Sequence, residues 1–433
     1  MTIDPAVLAA PGFGAHFTDH MVLVDFSEQS GWHDRRVVPY GPLPIDPAAT
    51  ALQYGQEIFE GLKVYRHRDG HLRLFRPDMN ARRFAASAAR LALPAVPAGL
   101  FVESIRQLAL VDAAWVSDRP GVSLYVRPFV IGTEALLGVR PARHATYGVI
   151  ASPAGSYFGD TETGISLWLS QNHSRAGAGG TGAAKCGGNY AAALVAQTEA
   201  KAHGCQQVLF TDAATRTWVE EAGSMNIFFV FADGTLVTPP LNGAILAGVT
   251  RDSVIELARD RGQRVEERPI SITEWKEAAA TGELTEVFAA GTAAVITPIG
   301  TVKHSGGEVT VGSGEPGPVT LQLREALTQY IDEELSSLIT ENPGASVQPT
   351  AAFQRVVQRA ISDRIGSGAR GLPTHWRTLT RDAVVDKKLH EIVRLADIVS
   401  PWTVGRYKNP GQVRTHAKTT VAADIEWCSK SGM

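Results

Sequence analysis

The stretch from Thr181 to Tyr190 reads Thr-Gly-Ala-Ala-Lys-Cys-Gly-Gly-Asn-Tyr, a lysine set among small residues with a tyrosine five positions beyond it. An amine taken out of water loses its proton more readily, and the neutral form is both a nucleophile toward an aldehyde and a base. Lys185 therefore has the setting of a lysine that forms a Schiff base with pyridoxal phosphate. A lone lysine in a glycine-rich loop is usually solvated, so other residues must carry part of this assignment.

Two adjacent carboxylates, Glu220 and Glu221, precede Ala-Gly-Ser-Met-Asn and an apolar run. On a strand, neighbours point to opposite faces. One of the two is expected to be buried and to need a cation, and a protonated pyridine nitrogen would serve. Arg127 lies inside the apolar run Val122 to Ile131 and requires an anion or a route to solvent. Ala247-Gly-Val-Thr-Arg-Asp leads into a helical stretch, and Phe288-Ala-Ala-Gly-Thr-Ala-Ala-Val-Ile places a threonine in a turn of small residues. Each offers backbone N–H groups to a phosphate or carboxylate.

The elements that must position these groups alternate. Residues 51–65 and 72–75 flank the turn Asp69-Gly70 and read as a hairpin. Asp78 is a plausible N-cap for a helix running to Leu93, with Phe84, Ala88 and Leu91 on one face and Arg82 and Arg83 in its first turns. Leu100 to Trp115 reads as a second helix, and Val122 to Ile131, Tyr147 to Ser152 and Ile165 to Ser170 as strands. Asn189 to His203 is helical and stops at Gly204; Gln207 to Thr211 is a short buried strand, and Ser253 to Arg261 a further helix. The polar stretch Gly138 to Tyr147 is the expected linker in an α/β chain. A smaller domain is expected over residues 1–146, a larger one over 147–338 and an appended tail over 339–433.

With 433 residues and a formal charge of −3, the chain has ample apolar content for a core and no electrostatic reason to bind nucleic acid or an acidic membrane. Cys186, Cys205 and Cys428 are too few for a disulfide framework and have no metal-ligand spacing, so no metal is expected and a reducing, cytoplasmic setting is. No signal peptide or membrane span is legible.

In order along the chain, Tyr54 to Gly61, Phe75-Arg-Pro followed by Asn80 to Phe84, Tyr125 to Glu134, Lys185 to Tyr190, Glu221 to Phe228, Gly248 to Arg251 and Gly291 to Ala294 resemble the branched-chain amino acid aminotransferases, class IV pyridoxal phosphate enzymes. The resemblance covers residues 15–338. It implies a two-domain α/β fold of fold-type IV and transfer of the amino group of leucine, isoleucine or valine to 2-oxoglutarate, giving glutamate. It further implies that Lys185 binds pyridoxal 5′-phosphate and moves the substrate proton, that Tyr190 bonds its phenolic oxygen, and that Glu221 pairs with the pyridine nitrogen while Glu220 stays exposed. Arg83, Val249, Thr250 and Thr292 would hold the phosphate, and the N–H groups around Thr292 and Ala293 the substrate α-carboxylate. Phe59, Tyr125 and Tyr157 would form the apolar wall, and Arg127, helped by Tyr54, would bind glutamate's γ-carboxylate. Tyr54 and the loop at Gly138-Val139 would approach a neighbouring subunit, so a homodimer is the smallest working unit expected. Ala294 and Thr297 stand where some relatives carry a redox Cys-x-x-Cys, and Cys186 reads as a packing residue.

Beyond residue 338 the pattern ends. Asn342-Pro-Gly-Ala-Ser reads as a linker, and His375 to Cys428 resembles an internal piece of endo-mannosidase-like TIM-barrel glycoside hydrolases. So short a piece cannot close a barrel of roughly 250 residues, so no glycosidase activity and a loosely packed tail are expected. The rival readings are a same-fold transaminase for a D-amino acid or aromatic substrate, a glycan-directed protein built around the tail, and a cofactor-binding protein inactivated by that tail.

Overall fold

The computed structural model describes residues 3–155, 158, 163–331 and 337–339. Contacts divide the chain into two units, Met1–Ile339 and Thr340–Met433. The linker and glycosidase-like stretch expected in the tail lie outside the described residues.

The first unit holds two sheets. The first is built from β1 (His20–Ser27), β2 (Gly31–Pro39), β3 (Glu57–Phe59), β4 (Leu62–Arg66), β5 (Leu72–Leu74), β6 (Ser123–Gly132) and β7 (His144–Ala154), with a short last strand, Ser337–Ile339, on β5. Its neighbouring pairs are all antiparallel, and the β4/β5 hairpin turns at the expected Asp69-Gly70. Two helices, α3 (Pro77–Arg90) and α4 (Ala98–Val111), cover this sheet; α1 (Pro5–Ala9) and α2 (Thr50–Tyr54) are short. Phe84 and Ala88 on α3 and Phe101, Ile105 and Leu108 on α4 are fully buried against Val22, Ile58, Val64, Val126 and Val149. Removing a phenylalanine of this kind from water stabilises by about 1.5–3 kcal/mol. The helical period placed Phe84 and Ala88 correctly, but α3 starts at Pro77, with Arg76 rather than Asp78 at the cap, because proline fits the first helical position.

The second sheet runs β8 (Ile165–Leu169), β9 (Gln207–Thr211), β10 (Val219–Ala222), β11 (Asn226–Phe231), β12 (Leu236–Thr238), β13 (Val265–Glu267), β14 (Leu284–Gly291), β15 (Val295–His304) and β16 (Gly307–Thr310), in the spatial order β10-β9-β8-β15-β14-β11-β12-β13 with β16 on β15. Helices α5 (Gly187–Ala202), α6 (Val249–Asp260), α7 (Ile272–Thr281) and α8 (Pro318–Gln329) pack on it. One face buries Phe229, Val287 and Ile227 with Trp275 of α7, and the other Phe228 and Phe288 with Val254 of α6 and Leu323 of α8. Cover on both faces explains why β11 is apolar from Ile227 onward rather than alternating.

Two expectations need correction. The domain boundary expected between residues 146 and 147 falls inside β7, where Tyr147 pairs with Val24 and Val130; the change of sheet comes between Ala154 and Ile165. Glu220 is not exposed: it and Glu221 are 4% and 2% accessible, and Glu220 sits where the β9/β10 register shifts between Val219 and Glu221, which breaks the simple alternation. Alternation distinguishes an inner from an outer face only where one face meets water.

Candidate active site

The functional groups come from β10, the start of α5, the start of α6 and the β14/β15 turn in the second layer, and from β3, the interior strand β6 and helix α3 in the first. Lys185 lies in the loop just before α5, and its backbone is tied on both sides: its N–H donates to Ser87 Oγ at 2.9 Å and its carbonyl accepts from the N–H of Phe59 at 2.9 Å. The Gly187 N–H donates to Glu57. Lys185 Nζ donates to Tyr190 Oη at 2.5 Å. Burial, aided by the charge of Arg83, lowers the Lys185 amine to about 8, while burial and the Glu221 charge push the Tyr190 hydroxyl up to about 12.

Opposite this pair stands Glu221, whose Oε2 is 2.7 Å from Nε of the buried Arg175 and whose Oε1 accepts from the Leu246 N–H at 2.9 Å. Burial pushes its carboxyl up, and Arg175 opposes that rise. Arg83 leaves α3 and meets Glu60, Nε to Oε1 at 2.6 Å and Nη2 to Oε2 at 2.8 Å, while Nη1 donates to the Ala247 carbonyl at 3.0 Å. Glu60 is fully buried and also accepts from Asn80 Nδ2 at 2.7 Å. Burial works to raise it, but the charge and hydrogen bonds of Arg83 win and hold it below the usual carboxylate range. Arg82, its neighbour, reaches solvent beside Asp78.

These groups surround one cavity of about 150 Å³, lined by Lys185, Tyr190, Glu221, Arg83, Val249, Thr250, Thr292, Ala293, Phe59, Tyr125 and Arg127. Eleven residues expected from the sequence thus meet in one place. Tyr54 does not line it; it is 45% exposed and its hydroxyl donates to the Leu137 carbonyl. Tyr157 lies outside the described residues. Phe13 completes the aromatic wall, stacked edge-on against Tyr125 with ring centroids 4.9 Å apart. Gly61 is required here, since a Cβ would sit 1.9 Å from Tyr125 Oη. Cys186 is buried in the first core, as expected of a packing residue.

The donor set fits a pyridoxal phosphate. Helix α6 opens at Gly248 without a side-chain cap, leaving its first N–H groups free for an anion. Among the described residues, no acceptor is bonded by the N–H groups of Thr292, Ala293 or Ala294 in the β14/β15 turn. Arg127 Nε is a buried donor without a hydrogen-bond partner among the described residues; its guanidinium carbon lies 4.5 Å from the Phe59 ring centre, and Nη2 donates to Tyr125 Oη at 3.1 Å. The cavity therefore has an amine at one side, a carboxylate at another, two sets of anion-binding amides and an aromatic wall. Sequence reasoning missed Glu60, Arg175 and Phe13. Glu60 lay within a quoted motif, but its bond to Arg83 spans 23 positions and leaves no periodic trace.

The family model for amino-transferase class IV matches residues 57–302. A curated relative from Mycolicibacterium smegmatis, named branched-chain-amino-acid aminotransferase, is 55% identical over 330 residues, covering 75% of this chain and 90% of its own length. Branched-chain-amino-acid transaminase 1 of Bacillus subtilis is 48% identical over 326 residues, with shares of 75% and 90%. Among solved structures, the Escherichia coli branched-chain amino acid aminotransferase aligns with a TM-score of 0.63 at 28% identity, covering 75% of this chain and all of its own. A branched-chain aminotransferase from the archaeon Thermoproteus uzoniensis, solved with norvaline, aligns with a TM-score of 0.62 at 25% identity, covering 74% of this chain and all of its own. The expected α/β fold of fold-type IV is the one these structures share.

Proposed function

The chain belongs to the class IV aminotransferases, pyridoxal 5′-phosphate enzymes, and we propose that it reversibly transfers the amino group of L-leucine, L-isoleucine or L-valine to 2-oxoglutarate, giving the branched-chain 2-oxo acid and L-glutamate. The observation that carries this reading is the single cavity that joins Lys185, Tyr190, Glu221 and Arg83 to an aromatic wall containing one arginine.

When bound, the cofactor's pyridine ring supplies an electron sink for charge developing at the substrate α-carbon. Lys185 Nζ, whose amine burial lowers to about 8, is in its neutral form the group that takes the α-proton. Tyr190 stays protonated at working pH and keeps its hydroxyl beside Nζ. Glu221 is held by Arg175 and the Leu246 N–H in an orientation suited to a protonated ring nitrogen. Arg83 with the start of α6 and Thr292 forms the phosphate end, and the β14/β15 turn the α-carboxylate end. Phe59, Tyr125 and Phe13 exclude water around a branched aliphatic side chain, and Arg127 receives the γ-carboxylate when glutamate enters. One pocket then serves both half-reactions.

The homodimer and the cytoplasmic location belong to this proposal. Leu52, Tyr54, Leu137 and Val139 are 60%, 45%, 68% and 88% exposed on adjoining segments, an apolar patch suited to a second copy. Cys186 and Cys205 are unpaired, as a reducing compartment favours. Among the described residues no helix is long and apolar enough to cross a membrane. The absence of glycosidase activity in residues 339–433 likewise stays a proposal.

The test is the visible absorption of the purified enzyme before and after L-leucine without an oxo-acid acceptor. Bleaching of the bound cofactor's band, reversed by 2-oxoglutarate, is the expected result. An unchanged band with L-leucine, but bleaching with a D-amino acid, would remove the substrate assignment and keep the family.

A further inference from the structure

Lys63 of β4 is a buried cation that the mechanism above does not use. It is 7% exposed, and among the described residues no carboxylate lies within ion-pair distance of it. Among the described residues its Nζ donates to the carbonyl oxygen of Ala293 at 3.2 Å, 230 positions along the chain. A buried ammonium without a counter-charge is disfavoured, so its retention there points to an anion supplied from outside the chain. Burial lowers the amine to about 8, which still leaves most of it charged at neutral pH.

The carbonyl it binds belongs to the β14/β15 turn. In a trans peptide the carbonyl and the following N–H point opposite ways; drawing the Ala293 carbonyl toward Lys63 therefore turns the Ala294 N–H away from it. Ala293 and Ala294 both line the 150 Å³ cavity, and their N–H groups have no acceptor among the described residues. The turn also needs holding: the next residue, Val295, sits at φ 56°, a region that a β-branched side chain strongly disfavours. Behind the turn, Lys63, Asn80, Thr250 and Thr292 border a second space of about 20 Å³, room for one water on the remaining ammonium protons.

We propose that Lys63 is the positioning residue for the substrate α-carboxylate, withdrawing the Ala293 carbonyl from the cavity and leaving behind the turn a positive charge that an incoming carboxylate completes. This rests on the reading that the enzyme binds pyridoxal phosphate and an amino acid in this cavity. Lys63 itself touches neither reacting atom; it acts through the peptide between Ala293 and Ala294.

The test compares the parent with Lys63→Met and Lys63→Arg in two titrations, both read by the cofactor's visible absorption. One is apoprotein with pyridoxal phosphate. The other is cofactor-loaded enzyme with 4-methylvalerate, which has the carbon skeleton and carboxylate of leucine but no amino group to react. In Lys63→Met, the Kd for 4-methylvalerate and the KM for L-leucine should rise at least tenfold, while the Kd for pyridoxal phosphate stays within threefold. Lys63→Arg should recover most of that loss. Should Lys63→Met fail to fold, Lys63→Gln, which keeps a donor for the Ala293 carbonyl but no charge, should show the same tenfold loss. A 4-methylvalerate Kd within twofold of the parent in an uncharged variant would overturn the proposal. So would equal losses for both ligands with no recovery in Lys63→Arg, the pattern of a purely structural residue. A parent that takes up pyridoxal phosphate but not 4-methylvalerate would overturn this proposal alone; a parent that binds neither would overturn the functional reading beneath it.

Discussion

Replacing Arg175 by methionine removes the buried cation beside Glu221 and leaves that carboxylate with only the Leu246 N–H and a longer contact to Asn226 Nδ2 at 3.4 Å. The two side chains are 6% and 3% exposed, so water cannot take over the role of the guanidinium. Breaking one side of such a pair costs about 3–5 kcal/mol. Proton uptake sets a ceiling within that range. A carboxyl of reference pKa about 4.3 is neutralised at pH 7 for about 3.7 kcal/mol, about 2.7 units at about 1.36 kcal/mol each. At pH 5 the same neutralisation costs about 1 kcal/mol. The sign follows: an acid whose folded pKa is raised binds more protons folded than unfolded, so its folded state loses stability as pH rises above the unfolded pKa. Burial already raises Glu221, and losing Arg175 raises it further. Equilibrium urea unfolding of cofactor-free protein should therefore show Arg175→Met less stable than the parent by about 4 kcal/mol at pH 7, with the gap narrowing by up to about 3 kcal/mol at pH 5. The double variant Arg175→Met/Glu221→Gln should recover much of the loss at pH 7, since no unpaired charge remains. A gap of equal size at both pH values would refute the electrostatic reasoning and leave only lost packing and the bonds from Arg175 to the Gly182 and Ala244 carbonyls.

Three other outcomes are expected. With the Lys185 amine lowered to about 8 by burial, the neutral fraction rises about tenfold from pH 7 to pH 9; stopped-flow capture of pyridoxal phosphate by apoprotein should speed up in proportion, and Lys185→Ala should not form the bond at any pH. Arg127→Ala removes the charged donor of the aromatic wall; the KM for 2-oxoglutarate should rise about 10- to 150-fold, as loss of a charge-assisted bond of about 1.5–3 kcal/mol requires, with a much smaller change for L-leucine. Gly61→Ala would place a Cβ 1.9 Å from Tyr125 Oη; displacement of that ring should lower kcat/KM for L-leucine, and differential scanning calorimetry should register a loss of about 1–3 kcal/mol from overpacking.

Local chemistry was legible along the chain because it is carried by near neighbours. Lys185 and Tyr190 lie one loop and one helical turn apart, so their meeting at 2.5 Å needs little beyond the start of α5. The helical period separated Phe84, buried, from the polar face of α3, whereas α6, read from Ser253, begins four residues earlier, at Val249 after the Gly248 cap. What the order of residues could not settle is which charged groups lose water and which partners they find. Glu220 falls at a break in the β9/β10 register between Val219 and Glu221, so strict alternation does not hold there and both carboxylates are buried. Arg83 and Arg82 are adjacent on one helix, and Glu60 together with the Ala247 carbonyl holds the buried guanidinium of Arg83, while that of Arg82 lies at the solvent beside Asp78. Arg175, Glu60 and Lys63 acquire their partners through contacts 46, 23 and 230 positions apart. Such pairings have no sequence period, since desolvation and Coulomb attraction depend on distances in space that only the packed sheets create.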